Sequence, residues 1–238
     1  MEKKRRLKNM ERKRLNTYED FAGLLDSAGM MTLSVNKAGL PDVSSMTAQE
    51  QWHTGLEIDP WQWKTRVVEE RRAAYAKIFG GMPSFVTRDW YPLLLAARRG
   101  GGTFEEAWES GLMSAEARRI YSLYGERRVL AVHEIKAMAG LKGSAGKYEQ
   151  AMRALQEGMW ITVSGMTRMA TASGRPHSWP VTEYTPVEDW AWPGVMEQAM
   201  GLEQREAAER LIAHGQRLNP QASRAALARF LTGRHIID

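Results

Sequence analysis

Trp52, Trp61, Trp63 and Trp90 stand around two carboxylates, Glu57 and Asp59, in the densest aromatic block of the chain. Indole faces stack on flat rings, and a carboxylate beside them can accept a proton or stabilise a cationic centre. Just upstream, Gln49-Glu50-Gln51 sets two amides on either side of a third carboxylate. The same residues have a plainer reading. Large aromatics at helical spacing are mostly core, and an Asp directly before Pro60 is a helix N-cap with proline at the first helical position. From spacing alone both readings stand.

A second group is cationic. Lys142, Lys147 and Arg153 lie on or before one amphipathic segment; Arg168, Arg175 and His177 lie in a loop that follows; Arg98-Arg99 ends another segment, after Lys77. Such side chains are placed to hold phosphates. They can equally be solvated helix-end cations that favour the macrodipole. Glu149 and Glu157 dilute the charge of the segment that bears Lys147 and Arg153.

Other chemistries find no pattern. The chain has no Cys, hence no disulfide, thiol nucleophile or thiolate ligand. It has no Gly-x-Ser-x-Gly, no phosphate loop and no His-Glu-x-x-His. His133-Glu134 lacks the second His, and the five histidines are scattered, so neither a metal site nor a cofactor is expected. No apolar run approaches the roughly 18 residues of a membrane span, and the basic start lacks the apolar segment of a secretory signal, so a cytoplasmic location is expected. The net charge of +5 is concentrated at the start: residues 1–14 carry eight basic side chains against Glu2 and Glu11, which leaves the rest of the chain at −1. The sequence pI of 9.5 therefore reports a basic tail, over about residues 1–16, on a near-neutral body. The tail is read as disordered or helical, able to hold phosphates without sequence preference.

Elements that would position these residues can be read from caps and periodicity. Thr17-Tyr-Glu-Asp20 is a capping box opening a helix through Ser27, with Phe21, Leu24 and Leu25 inside. Met30–Val35 suits a short strand and 36–45 a loop. Thr47-Ala-Gln-Glu50 is a second box. Asp59-Pro60 opens a helix predicted to reach Phe79, with Trp61, Val68, Tyr75 and Phe79 on one stripe and Trp63 off it, stopped by Gly80-Gly81. A helix over Trp90–Arg99 ends at Gly100-Gly-Gly102, and Thr103-Phe-Glu-Glu106 is a third box. After a helix over Ala115–Tyr124, the stretch from Leu130 to Trp190 reads helix (Leu130–Ala139), turn (141–146), helix (Lys147–Glu157, with Tyr148, Met152 and Leu155 inside, ended by Gly158), strand (Met159–Ser164), loop, strand (Val181–Thr185). That is the order of a winged helix-turn-helix, whose second helix usually enters a DNA groove. Helices follow over Leu202–Leu218 and beyond Asn219-Pro220. The expected fold is α+β, mostly α: an N-terminal Trp-rich winged-helix-like unit (17–112), a winged helix-turn-helix unit (113–192) and a helical C-terminal end (193–238).

The block Gln51-Trp-His-Thr-Gly55, Asp59-Pro-Trp-Gln-Trp63, Ala74-Tyr-Ala-Lys77, Phe85-Val-Thr-Arg-Asp-Trp-Tyr-Pro92 and Ala97-Arg-Arg99 resembles the AlkZ-related family of short bacterial proteins. The likeness runs over roughly residues 17–235 and leaves out the tail. It implies winged-helix units with a distant likeness to DNA glycosylases that excise alkylated or cross-linked bases. Those enzymes use a Gln-aliphatic-Gln or Gln-aliphatic-Asp pair to position a water. Gln49-Glu50-Gln51 departs from that pattern at its centre, where packing should fix the pair. The expected function is binding or sensing DNA. The alternatives are a monofunctional glycosylase using Gln49, Gln51 and Asp59 with the tryptophans as a base pocket, and a winged-helix interaction module without DNA affinity.

Overall fold

A computed structural model describes residues 14–167 and 181–233 of the chain, so the basic tail before Arg14 and the loop bearing Arg168, Arg175 and His177 lie outside the described residues. The first half runs α1 (Tyr18–Ala28), β1 (Met30–Thr32), α2 (Val43–Met46), a 3-10 turn (Gln49–Gln51), α3 (Pro60–Glu69), β2 (Ala73–Phe79), β3 (Met82–Thr87), α4 (Tyr91–Arg99) and α5 (Phe104–Glu109). The second runs α6 (Ala115–Ser122), a 3-10 turn (Leu123–Gly125), β4 (Leu130–Ala131), α7 (Val132–Met138), α8 (Ala145–Glu157), β5 (Ile161–Thr167), β6 (Val181–Pro186), α9 (Val187–Trp190), α10 (Val195–Met200), α11 (Gln204–Leu218) and α12 (Arg224–Thr232). Among the described residues the fold is α+β and mostly helical, with two small antiparallel sheets.

Both sheets have the same construction. The strand orders are β1-β3-β2 and β4-β6-β5: in each, a short strand after a first helix pairs with the last strand of a hairpin that follows two more helices. Each sheet therefore ends on an edge strand, β2 or β5, and the two edges face one another. α8 packs on β2, and α3 packs on β5. The backbone N–H of Lys77 on β2 donates to Gln156 Oε1 of α8 at 3.0 Å, and the carbonyl of Tyr75 accepts from Thr162 Oγ1 at 3.4 Å. In the reciprocal contact Thr65 of α3 donates to the sulfur of Met166 on β5 at 3.2 Å. The unpaired backbone groups of an edge strand invite association with other chains; here each half covers the other's edge.

The first sheet is buried on both faces. Tyr75 and Phe85 face a core with Phe21, Leu25, Trp63 and Val67, whereas Ala74, Ala76, Ile78 and Val86 face a second core with α4 and the C-terminal helices. This arrangement corrects the predicted helix from Asp59 to Phe79. A strand with apolar residues on both sides has no period of two to reveal it. The chain breaks at Arg71, where φ is +50°, and Gly80-Gly81, both at positive φ, form the turn of the β2–β3 hairpin rather than a helix stop. Leu130–Ala131 likewise pairs with β6 instead of opening the helix. Gly158 caps the C-terminal end of α8 as expected, but the left-handed turn falls on Met159, at φ +59°, and Gly158 is required because a Cβ there would lie 2.7 Å from the Trp160 ring. The last helix begins beyond Asn219-Pro220 as expected, and its N-cap is Ser223, which accepts from the N–H of Ala226 at 3.2 Å.

α10–α12 share the core of the first sheet and α4. Gly215 lets α11 approach α12: a Cβ there would fall 2.8 Å from Leu227. The second half has its own core, built on Ile120, Leu130, Ile135, Tyr148, Met152, Leu155 and Trp160.

Candidate nucleic-acid interface

The Gln49–Lys64 block is a loop and helix start folded on itself. Gln51 is buried, and its Oε1 accepts from the Ala48 N–H at 2.8 Å while its Nε2 donates to the carbonyls of Asn16 (3.4 Å) and Ile58 (3.5 Å). Thr47 does not open the expected box; its hydroxyl accepts from the indole of Trp52 at 2.9 Å. Gln49 points to solvent, so the two amides are not brought together. Asp59 is buried and accepts from the N–H groups of Trp61 and Gly55, each at 2.9 Å; it is the N-cap of α3 and also ties down the preceding loop.

The tryptophans separate. Trp63, which helical spacing turned off the main stripe, is the deepest: 1% exposed, stacked on Phe21 at 5.7 Å and donating to the carbonyl of Glu57. Trp90 stacks on His214 at 3.7 Å, over Gly29. Trp52 and Trp61 are half-buried and flank His53, with exposed Leu56 and Ile58 on the same loop. The Lys64 ammonium sits 3.5 Å from the Trp61 ring, and burial lowers its pKa to about 8. Trp63 and Asp59 are both buried, and Trp90 packs on His214, away from Trp52 and Trp61 beside His53.

Arg98 and Arg99 are turned inward. The Arg98 guanidinium donates to the carbonyls of Leu231 (2.7 Å), Phe230 (3.4 Å) and Glu157, at the C-terminal ends of α12 and α8. Burial brings its pKa down to about 10. Arg99 pairs with Glu188, donates to the carbonyl of Met159 and lies 4.1 Å from the Trp160 ring. Arg153, expected on an open face, reaches back to the carbonyl of Gly80 at 2.9 Å and covers Gly81, so it belongs to the contact between the halves. Neither helix position nor charge reveals this, since the carbonyl partners come from distant segments.

Lys142 and Lys147 remain exposed around the turn between α7 and α8. Lys147 pairs with Glu116 of α6 at 3.3 Å. Two further cations join them that spacing did not single out: Arg119 of α6, which donates to the Ala139 carbonyl at 3.3 Å, and Lys136, 5.6 Å from the Tyr148 ring. Ser144, the N-cap of α8, makes no side-chain capping bond, so the first N–H groups of this helix lack a side-chain acceptor. The corresponding end of α3 is closed by the Asp59 carboxylate. The arrangement at α8 can hold an anion; that at α3 cannot.

Among the described residues no group of His, Cys, Asp or Glu could hold a metal ion, and no helix is long and apolar enough to cross a membrane. Searches of curated proteins and of solved structures return no match. The family model described as AlkZ related matches residues 15–232, and the chain belongs to that family.

Proposed function

We propose that the chain is a DNA-binding protein made of two winged-helix units, residues 15–87 and 115–186, packed edge to edge, and that the second unit holds the duplex backbone through the α7–α8 turn. The single observation that carries this reading is the cluster of Arg119, Lys136, Lys142 and Lys147 around the open N-terminus of α8. In this geometry phosphate contacts fix the protein on the duplex, and the exposed Gln150, beside Lys147 on α8, faces outward with it. Gln51 and Asp59 spend their hydrogen-bonding capacity inside the protein, so the reading is one of binding rather than base excision.

Fluorescence anisotropy with a random-sequence duplex tests it. Lys142→Gln with Lys147→Gln removes two phosphate contacts and should reduce the slope of log affinity against log salt by about 1.8. The melting temperature should hold, because both side chains are exposed. An unchanged slope in the folded double variant would refute the assignment of this turn.

A further inference from the structure

Between the C-terminal end of α4, the Gly100–Gly102 turn, α6, Trp160 and α10 lies a cleft of about 310 Å³, at the lower end of small-molecule sites. Phe104 and Tyr121 stack at 4.0 Å, and Trp160 meets both edge-on at 5.3 and 6.2 Å. Met196 and Met200 line the cleft from α10, adaptable and apolar. Its polar groups are few. The Arg99 side chain is 7% exposed, and its Nε finds no hydrogen-bond partner although both Nη atoms are engaged. The half-exposed Glu188 carboxylate is an acceptor. The Tyr121 hydroxyl, pushed up to about 12 by burial and then by the charge of Glu188, stays protonated and is a donor.

These features select a ligand. An apolar lining of rings and methionines favours an aromatic ring. The charges of Arg99 and Glu188 cancel, which favours a neutral guest over an anion or a cation. One acceptor, Glu188, and one donor, Tyr121, both line the cleft and ask for a ring edge that offers both. We propose that this cleft binds a small neutral heteroaromatic compound of one or two rings, held against Phe104, Tyr121 and Trp160, with its donor–acceptor edge read by Glu188 and Tyr121. The site shares α6 with the proposed DNA contact, because Glu116 and Arg119 on that helix hold Lys147 and the end of α7. Ligand binding itself does not depend on the DNA reading.

Isothermal titration of the full chain with adenine and with nicotinamide, against benzoate as an anion of similar size, tests the proposal. Both neutral rings should saturate, and benzoate should bind at least about tenfold more weakly. Tyr121→Phe and Glu188→Gln should each weaken adenine by about fivefold or more, since each deletes one hydrogen bond at the ring edge. Met196→Trp, at a half-buried position, should fill the cleft and abolish binding. Melting curves establish that each variant is folded. A duplex bearing one extrahelical adenine, titrated alongside, separates a free compound from a base presented by DNA; uptake of either that the variants weaken supports the site. No uptake of adenine, nicotinamide or the duplex by the folded wild-type chain would overturn the proposal, as would binding that persists unchanged in all three variants.

Discussion

Replacing Arg98 by methionine keeps most of the apolar stem and removes the guanidinium that joins three helices. Three carbonyls, of Glu157, Phe230 and Leu231, then lose their donor. A buried acceptor left without a partner costs about 1–3 kcal/mol, so the gross loss is roughly 3–9 kcal/mol. Part returns, because the variant no longer buries a charge; the lowered pKa of Arg98 has that burial as its main cause. The lower end, about 3 kcal/mol, is the expected net. In a chain of this size 1 kcal/mol moves the midpoint by about 2–4 °C, so the melting temperature should fall by about 6–12 °C. Arg98→Lys should fall nearly as far, because a single ammonium cannot reach carbonyls on two helices in a fork. Scanning calorimetry gives the shift, and anisotropy at low temperature, where the variant is folded, gives the DNA affinity. A melting temperature near wild type with DNA affinity reduced severalfold would refute the clamp and return Arg98 to the surface role that its place at a helix end suggests.

The other predictions test neighbouring parts of the argument. Asp59→Asn should lower stability by about 1–3 kcal/mol in a thermal melt, because one amide oxygen replaces two carboxylate oxygens that each accept a backbone N–H; an unchanged melt would mean that Asp59 is free for other work. His214 is bonded in its neutral form, with Nε2 at 2.7 Å from the Ala28 carbonyl and Nδ1 at 3.1 Å from Arg217, and burial lowers its pKa below the ordinary 6.5. A depressed folded-state pKa means that its stabilisation is complete above 6.5 and is lost as pH falls through the folded value. Melts between pH 8 and 5 should therefore decline more steeply at the acid end for wild type than for His214→Phe, which keeps the ring against Trp90; parallel curves would remove His214 as the cause. Deleting residues 1–13 should leave the melt unchanged and flatten the salt dependence of any DNA binding, because seven of the tail's cations go with them; an equal slope with and without the tail would give it no part in binding.

The legible parts of the fold were those in which a residue's partner is a few positions away. Thr17, Asp59 and Thr103 cap helices as read, because a cap bonds an N–H two or three residues on. The Tyr148, Met152, Leu155 stripe was legible because α8 has one buried face and one open one. Legibility failed where burial has two sides or the partner is far off. Ala73–Phe79 is covered on both faces, so its composition carries no period, and the helix begun at Asp59 had no internal reason to stop before it. The Gly80-Gly81 pair was visible but ambiguous, since two glycines end a helix or turn a hairpin equally well. The cations show the same division. Spacing places Arg98, Arg99 and Arg153 at helix ends or on an open face, with nothing to distinguish them from Lys142 and Lys147, yet their carbonyl partners come from segments 59 to 133 residues away. A planar fork that donates in several directions suits a junction of helix ends; an ammonium on a flexible stem suits solvent and phosphate. Among these positions the arginines are the ones that hold the body together and the lysines the ones left at the α8 turn, which is why charge at this surface is better read by residue type than by count.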